Sequence, residues 1–320
     1  MRTMSYVVQS FFYHNRHSRK HRLPHSACEN TGCTRFFYRV YLYNFEAMTG
    51  KPLGIFDSGY GGLTVLKDIR LALPQYDFIY LGDNARAPYG PLSYETVYQY
   101  TLQCVKWFFA QGCPLVILAC NTASAKALRS IQQNNLPLEY PDKRVLGVIR
   151  PTSEVINDFT SSKHIGIMAT AGTVQSDSYR IEIKKFFPEI KVTQEACPEW
   201  VELVEGGKYR SAEADMPVKL HIENLLKQDK EIDSVLLACT HYPLLADKIN
   251  EFMPQGISVI TQGEIVASSL RKYLESHPET EINCSKNGVI NFYTTGDAAH
   301  FNKQASVFYG ASMKATKIKL

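Results

Sequence analysis

Leu53-Gly54-Ile55-Phe56-Asp57-Ser58-Gly59-Tyr60-Gly61-Gly62-Leu63 is the stretch that decides the fold. An apolar run of strand length ends in an acid, a glycine-rich turn follows, and helical spacing of apolar residues runs on to about Leu73. Strand, tight turn and helix form the opening half of a βαβ unit. Downstream, short apolar runs keep alternating with longer amphipathic segments. They predict strands at 53–57, 78–81, 115–120, 145–149, 164–169, 191–195, 234–239, 256–260 and 289–293. Between them Val97, Thr101, Val105 and Phe108 recur at helical spacing, and 174–187 and 211–227 are long enough for helices. The pattern predicts a doubly wound α/β fold with a mostly parallel sheet. Pro151, after the strand expected to end at Ile149, marks a passage to a second domain.

Composition narrows the function classes. The chain has 320 residues, 45% apolar and 21% charged, enough to bury one or two sizeable cores. Its formal charge of +4 is concentrated in residues 1–47, which hold 7 Lys/Arg against 2 Asp/Glu. The remainder is nearly neutral, so no nucleic-acid footprint is expected. Eight cysteines without paired C-x-x-C spacing argue against a disulfide scaffold or a zinc ribbon and for a reducing, cytoplasmic setting. No apolar run reaches membrane-span length, so no membrane partner is expected. Residues 1–47 are rich in aromatic and basic side chains without periodicity and read as a disordered N-terminal extension. There His14, His17, His21, His25, Cys28 and Cys33 match no metal-ligand spacing, and no metal is predicted.

The chemistry is signalled by an internal echo. Val116-Ile117-Leu118-Ala119-Cys120-Asn121-Thr122 is similar to Val235-Leu236-Leu237-Ala238-Cys239-Thr240-His241. Each copy sets a cysteine at the end of an apolar strand, where open α/β sheets bind ligands. A helix beginning after Cys120 is expected to lower its thiol pKa, and the same logic is expected at Cys239, with His241 two residues on to poise it. The turn after Asp57 is neither a P-loop nor a dinucleotide fingerprint, but its amides suit a small carboxylate. Asp57 itself is a candidate helix cap, ammonium partner or orienter of a base. Asn121 and Thr122 bring donors and acceptors for a small polar substrate.

Four elements in order then carry a specific resemblance. They are Phe56-Asp57-Ser58-Gly59-x-Gly61-Gly62-Leu63, Gly82-Asp83-x-Ala85-Arg86-x-Pro88-Tyr89-Gly90, Cys120-Asn121-Thr122-Ala123-Ser124-Ala125 and Cys239-Thr240-His241-Tyr242-Pro243-Leu244-Leu245. From Leu53 onward the chain resembles the glutamate racemases, cofactor-independent members of the aspartate/glutamate racemase family. The resemblance implies two doubly wound α/β domains related by pseudo-symmetry, 48–150 with 261–320 and 151–260, with the site in the cleft between them. It implies Cys120 and Cys239 as the proton carriers, Cys239 acting on L-glutamate and Cys120 on D-glutamate, with Asp57, His241 and Glu205 in support. Ser58, Tyr89, Gly90, Asn121, Thr122 and Thr240 fall on substrate-contacting positions, along with Asp57 and His241. Asn84, Ala238 and Gln262 depart from the threonine, glycine and acid usual there. No cofactor is implied; a homodimer and a supply of D-glutamate for peptidoglycan are. Inverting Cα needs one group to take a proton from one face and another to deliver one to the opposite face. Two thiols, with a reference pKa of about 8.5, can serve both directions. An aspartate racemase, or a binding protein for a small amino or dicarboxylic acid, would share the scaffold.

Overall fold

In the computed structural model, which describes residues 50–320, two all-parallel sheets organise the described residues. The expectations for residues 1–47 lie outside the described residues. The strands are β1 (Leu53–Asp57), β2 (Phe78–Gly82), β3 (Leu115–Leu118), β4 (Arg144–Gly147), β5 (His164–Ala169), β6 (Lys191–Ala196), β7 (Ser234–Ala238), β8 (Ser258–Ile260), β9 (Ile290–Thr294) and β10 (Ala315–Lys317). The first sheet runs β10-β9-β2-β1-β3-β4 and the second β6-β5-β7-β8. β1, β2, β3 and β7 are buried along their whole length, as parallel strands covered on both faces must be.

The helices that matter for the site are α1 (Gly62–Ala72), α2 (Tyr94–Ala110), α3 (Asn121–Lys126), α4 (Ile149–Val155), α5 (Ala171–Gln175), α6 (Ser178–Phe186), α7 (Trp200–Glu205), α8 (Asp215–Gln228), α9 (Gly263–Ser276) and α10 (Ala298–Tyr309). Local chemistry sets their ends: the Ser93 hydroxyl accepts from Thr96 N to start α2, and Asp297 does the same with His300 N for α10. Helix α1 buries Leu63, Val65, Leu66 and Ile69, and α9 buries Val266, Ala267, Leu270 and Leu274. All eight belong to a hydrophobic core that also takes in Leu237 and Trp200, so the two sheets share buried apolar surface.

The sheets repeat one another in register. Within β2-β1-β3-β4 and β6-β5-β7-β8 the strand order is the same: second, first, third, fourth. Gly54 pairs with Val116 and Phe56 with Leu118, while Gly166 pairs with Val235 and Met168 with Leu237. A Cβ at Gly54 would press on Phe108 of α2, and one at Gly166 on Leu225 of α8. A covering helix thus packs directly onto the central strand backbone in both halves.

Several sequence expectations need correction. The strands drawn through Cys120 and Cys239 stop at Leu118 and Ala238, because the chain leaves the sheet before each cysteine. Ile149 does not end a strand; it begins α4, and Pro151 sits in that helix's first turn, where no intrahelical amide is needed. Strand β10 was not foreseen, since Ala315–Lys317 is short, half polar and at the sheet edge.

Candidate active site

Cys120 is fixed by the end of β3. It is extended, with φ −66° and ψ 121°, and caps α3, its sulfur accepting from Ala123 N at 3.4 Å. Ser58 Oγ lies 3.4 Å from Cys120 Sγ. The thiol is buried, and burial, followed by the nearby Asp57 carboxylate, pushes its pKa up to about 12. The Ser58 hydroxyl and the Ala123 amide act the other way, while Cys239 adds to the rise. The expected lowering by a helix N-terminus is thus overturned: desolvation and a buried anion outweigh the helix end.

Cys239 follows β7 and leads into a short 3₁₀ turn, Tyr242–Leu245, so it has no α-helix terminus of its own, contrary to expectation. Its partner is His241, whose Nδ1 stands 4.0 Å from the sulfur and whose Nε2 meets Glu205 Oε1 at 2.9 Å. Glu205 is the last residue of α7. Burial works to lower the His241 pKa, but the Cys239 sulfur and the Glu205 carboxylate together raise it to about 10. The edge of the imidazole rests on Phe308 of α10, with centroids 5.1 Å apart.

Asp57 joins the two halves. It is fully buried and accepts from Gly59 N at 2.9 Å and from Thr240 Oγ1 at 3.4 Å. Burial holds its carboxyl above the usual range, against the lowering influence of His241, the Gly59 and Gly62 amides and Thr240. Thr64 Oγ1 donates to Thr240 O at 3.0 Å. Gly61 has no room for a side chain, because a Cβ would overlap Thr240 Oγ1 and His241 Nδ1. The glycine-rich turn therefore lets the Cys239 loop approach β1, and its Gly59 amide is taken up by Asp57.

The remaining candidates line the junction between the sheets. Tyr89 is buried, with its ring between Phe56 and Tyr100 and its hydroxyl donated to Asp83. Asp83 also accepts from Arg86 Nε and Thr295 Oγ1, both at 2.7 Å, and so anchors the loop that carries Gly90. Gly90 faces Thr170, at the start of α5. Thr122 Oγ1 lies 2.9 Å from Thr170 Oγ1 and 3.4 Å from Thr173 Oγ1. Both ends of the Asn121 amide are bonded, to Gln262 and to Tyr179. The sequence reading did not single out Thr170 or Tyr179. A signal for Thr170 lies in the sequence, where Gly166-Ile167-Met168-Ala169-Thr170 is similar to Gly54-Ile55-Phe56-Asp57-Ser58; the strand register aligns the two stretches. Of the departures, Asn84 Oδ1 accepts from Thr294 Oγ1 at 3.0 Å, and Ala238 is buried opposite Ala169.

The arrangement brings Cys120, Cys239, Asp57, Ser58, Thr240 and His241 together in a buried junction, with Glu205 at its margin. Two thiols follow the third strands of two in-register sheets, one beside a carboxyl and a hydroxyl, the other beside a histidine–carboxylate pair. Such thiols, each beside a titratable or hydroxyl partner, are suited to proton transfer.

The chain is similar in sequence and in fold to known proteins. Residues 64–270 match the family model described as Asp/Glu/Hydantoin racemase. Glutamate racemase 2 of Caldanaerobacter subterraneus subsp. tengcongensis is 37% identical over 263 residues, spanning 82% of this chain and 95% of the relative. Among solved structures, a glutamate racemase isoform from Bacillus anthracis superposes with a TM-score of 0.77 at 32% identity, covering 84% of this chain and 98% of the other. The Francisella tularensis glutamate racemase in complex with D-glutamate gives 0.75 at 29%, with coverage of 84% and 98%. The chain belongs to the Asp/Glu/hydantoin racemase family, the isomerase class that includes these glutamate racemases.

Proposed function

We propose that this chain interconverts L- and D-glutamate by proton transfer between two opposed thiols. The observation that carries the reading is the in-register placement of Cys120 and Cys239 after equivalent strands of the two sheets. In the L-to-D direction the Cys239 thiolate takes the Cα proton while the His241 imidazolium stands as its counter-ion, held by Glu205. Cys120, kept protonated by burial and Asp57, delivers its proton to the opposite face. In the reverse direction Cys120 takes the Cα proton of D-glutamate and Cys239 gives one. In this reading Asp57 meets the substrate ammonium, and Ser58, Asn121, Thr122, Thr240 and the Tyr89–Gly90 loop contact the substrate. Fixed dipoles and hydrogen bonds must stabilise the carbanionic transition state. The reading extends to a division at 48–150 with 261–320 and 151–260, to a cytoplasmic role supplying D-glutamate for peptidoglycan, and to a homodimer.

The test is turnover by the purified chain. L-Glutamate should become an equal mixture of enantiomers by chiral chromatography, since enantiomers are equal in free energy. L-Aspartate, one methylene shorter, should react roughly 10- to 200-fold less efficiently. Absence of D-glutamate would leave a binding protein, and equal turnover of aspartate would make the substrate assignment wrong.

A further inference from the structure

Beside Cys120 lies a closed ring of buried hydrogen bonds. Asn121 Nδ2 donates to Gln262 Oε1 at 2.7 Å, Gln262 Nε2 donates to Tyr179 Oη at 2.6 Å, and Tyr179 Oη donates to Asn121 Oδ1 at 2.6 Å. The second Gln262 Nε2 hydrogen goes to Thr152 Oγ1 at 2.9 Å, and Thr152 in turn donates to Val148 O at 2.8 Å. All four residues are buried. Each hydroxyl and amide is used in one consistent direction, and burial makes an opened member costly.

The positions of these residues give the ring its significance. Asn121 is the first residue of α3 and is bonded to Cys120. Thr152 lies on α4, where the chain crosses from the first sheet to the second, and Gln262 is the N-cap residue just before α9, where it crosses back. Tyr179 lies on α6, between β5 and β6 of the second sheet. Both crossings and one second-sheet helix therefore converge on the residue next to one thiol. An Asn121 side chain bonded at both ends cannot turn, so the start of α3, and Cys120 with it, is held in one place.

We propose that Tyr179 and Gln262 are positioning residues that set, through Asn121, where the Cys120 thiol stands, and so govern proton transfer at Cys120 in preference to Cys239. The inference rests on the two-thiol reading. It gives a role to Gln262: an amide can accept from Asn121 and donate to Tyr179 at once, whereas a carboxylate there can only accept.

The experiment compares primary isotope effects on kcat/KM for Cα-deuterated L- and D-glutamate in the full chain and in Tyr179→Phe. When transfer at Cys120 becomes the slower of the two steps, deuterium on D-glutamate, which Cys120 attacks, is felt more fully. Deuterium on L-glutamate is removed in the faster step, and its effect shrinks. Tyr179→Phe should lower kcat/KM roughly fivefold in both directions, about the worth of one hydrogen bond, with the D effect rising and the L effect falling. Gln262→Glu, which removes the donor to Tyr179, should shift both effects the same way and serves if Tyr179→Phe does not fold. A smaller folded fraction moves neither isotope effect. Unchanged effects, a reversed shift, or failure of both variants to fold would overturn the inference. Failure of the two-thiol reading shows separately, as no racemisation by the unmodified chain or as racemisation by a chain lacking either cysteine.

Discussion

The imidazole of His241 is held from both sides, by the Cys239 sulfur at 4.0 Å and by Glu205 Oε1 at 2.9 Å. Its pKa of about 10 means that the cation is present at neutral pH and is lost as pH rises through that value. Glu205→Gln removes one of the two supports, so the cation is lost at lower pH and the alkaline limb of the kcat/KM profile should move acidward. A hydrogen bond to a charged group is worth about 1.5–3 kcal/mol, or roughly ten- to a hundredfold in rate. Since the Glu205 side chain is 36% exposed, the lower end is expected. A pH–rate profile of Glu205→Gln identical to that of the unmodified chain would remove Glu205 from the account. At this scale the residue types were legible because cysteine, histidine and acid stand in an ordered set of motifs. Their electrostatics were not: the Cys120 thiol is raised instead of lowered, first by its own burial and then by Asp57, which lies 63 positions earlier in the sequence and acts on it through space. Sequence order does not record such neighbours.

Asp233, just before β7, shows how an element's entry is secured. Its carboxylate accepts from Thr160 Oγ1 at 2.6 Å and from Ser161 N and Ser162 N at 2.7 Å, tying the approach to β5 to the approach to β7. Burial acts against the charged form, but these donors prevail and hold the pKa at about 2. Its stabilising contribution is complete above the unfolded value of about 3.9 and is lost as pH falls through about 2. Asp233→Ala should cost about 1–2 kcal/mol at neutral pH after allowance for solvent, read by urea unfolding, and little at pH 2. An equal loss at both pH values would show that the carboxylate charge is not the cause. The strands were legible because buried parallel strands are continuous apolar runs, as in β1, β3 and β7. Their ends were not, because Ala119 and Cys120 are as apolar as the strand they leave. The edge strand Ala315–Lys317 lacks the apolar signal altogether. The π-helical turn Ile131–Asn135 has no counterpart in the periodicity that was read.

At the scale of the molecule, one four-strand pattern is used twice, and the two copies have been given different chemistry. Cys120 corresponds to Cys239, but its neighbours are Asp57 and Ser58, whereas those of Cys239 are His241 and, through it, Glu205. The repeat was legible from seven residues, since Val116–Leu118 and Val235–Leu237 pair with Gly54–Phe56 and Gly166–Met168 in the same register. The ring through Tyr179 and Gln262 was not legible, because Asn121, Thr152, Tyr179 and Gln262 are far apart in the sequence and belong to different elements, so only the fold brings them together. A reaction divided between two different thiols predicts that neither suffices alone. The most direct measurement is racemisation from each enantiomer by Cys120→Ala and Cys239→Ala, followed by chiral chromatography, with folding checked by circular dichroism. The unmodified chain is run alongside in deuterated water, and product Cα isotope content is read by mass spectrometry. The account predicts that each variant abolishes net racemisation from both L- and D-glutamate, and that the unmodified chain places solvent deuterium at Cα of its product. Near-normal racemisation by either folded variant would contradict it.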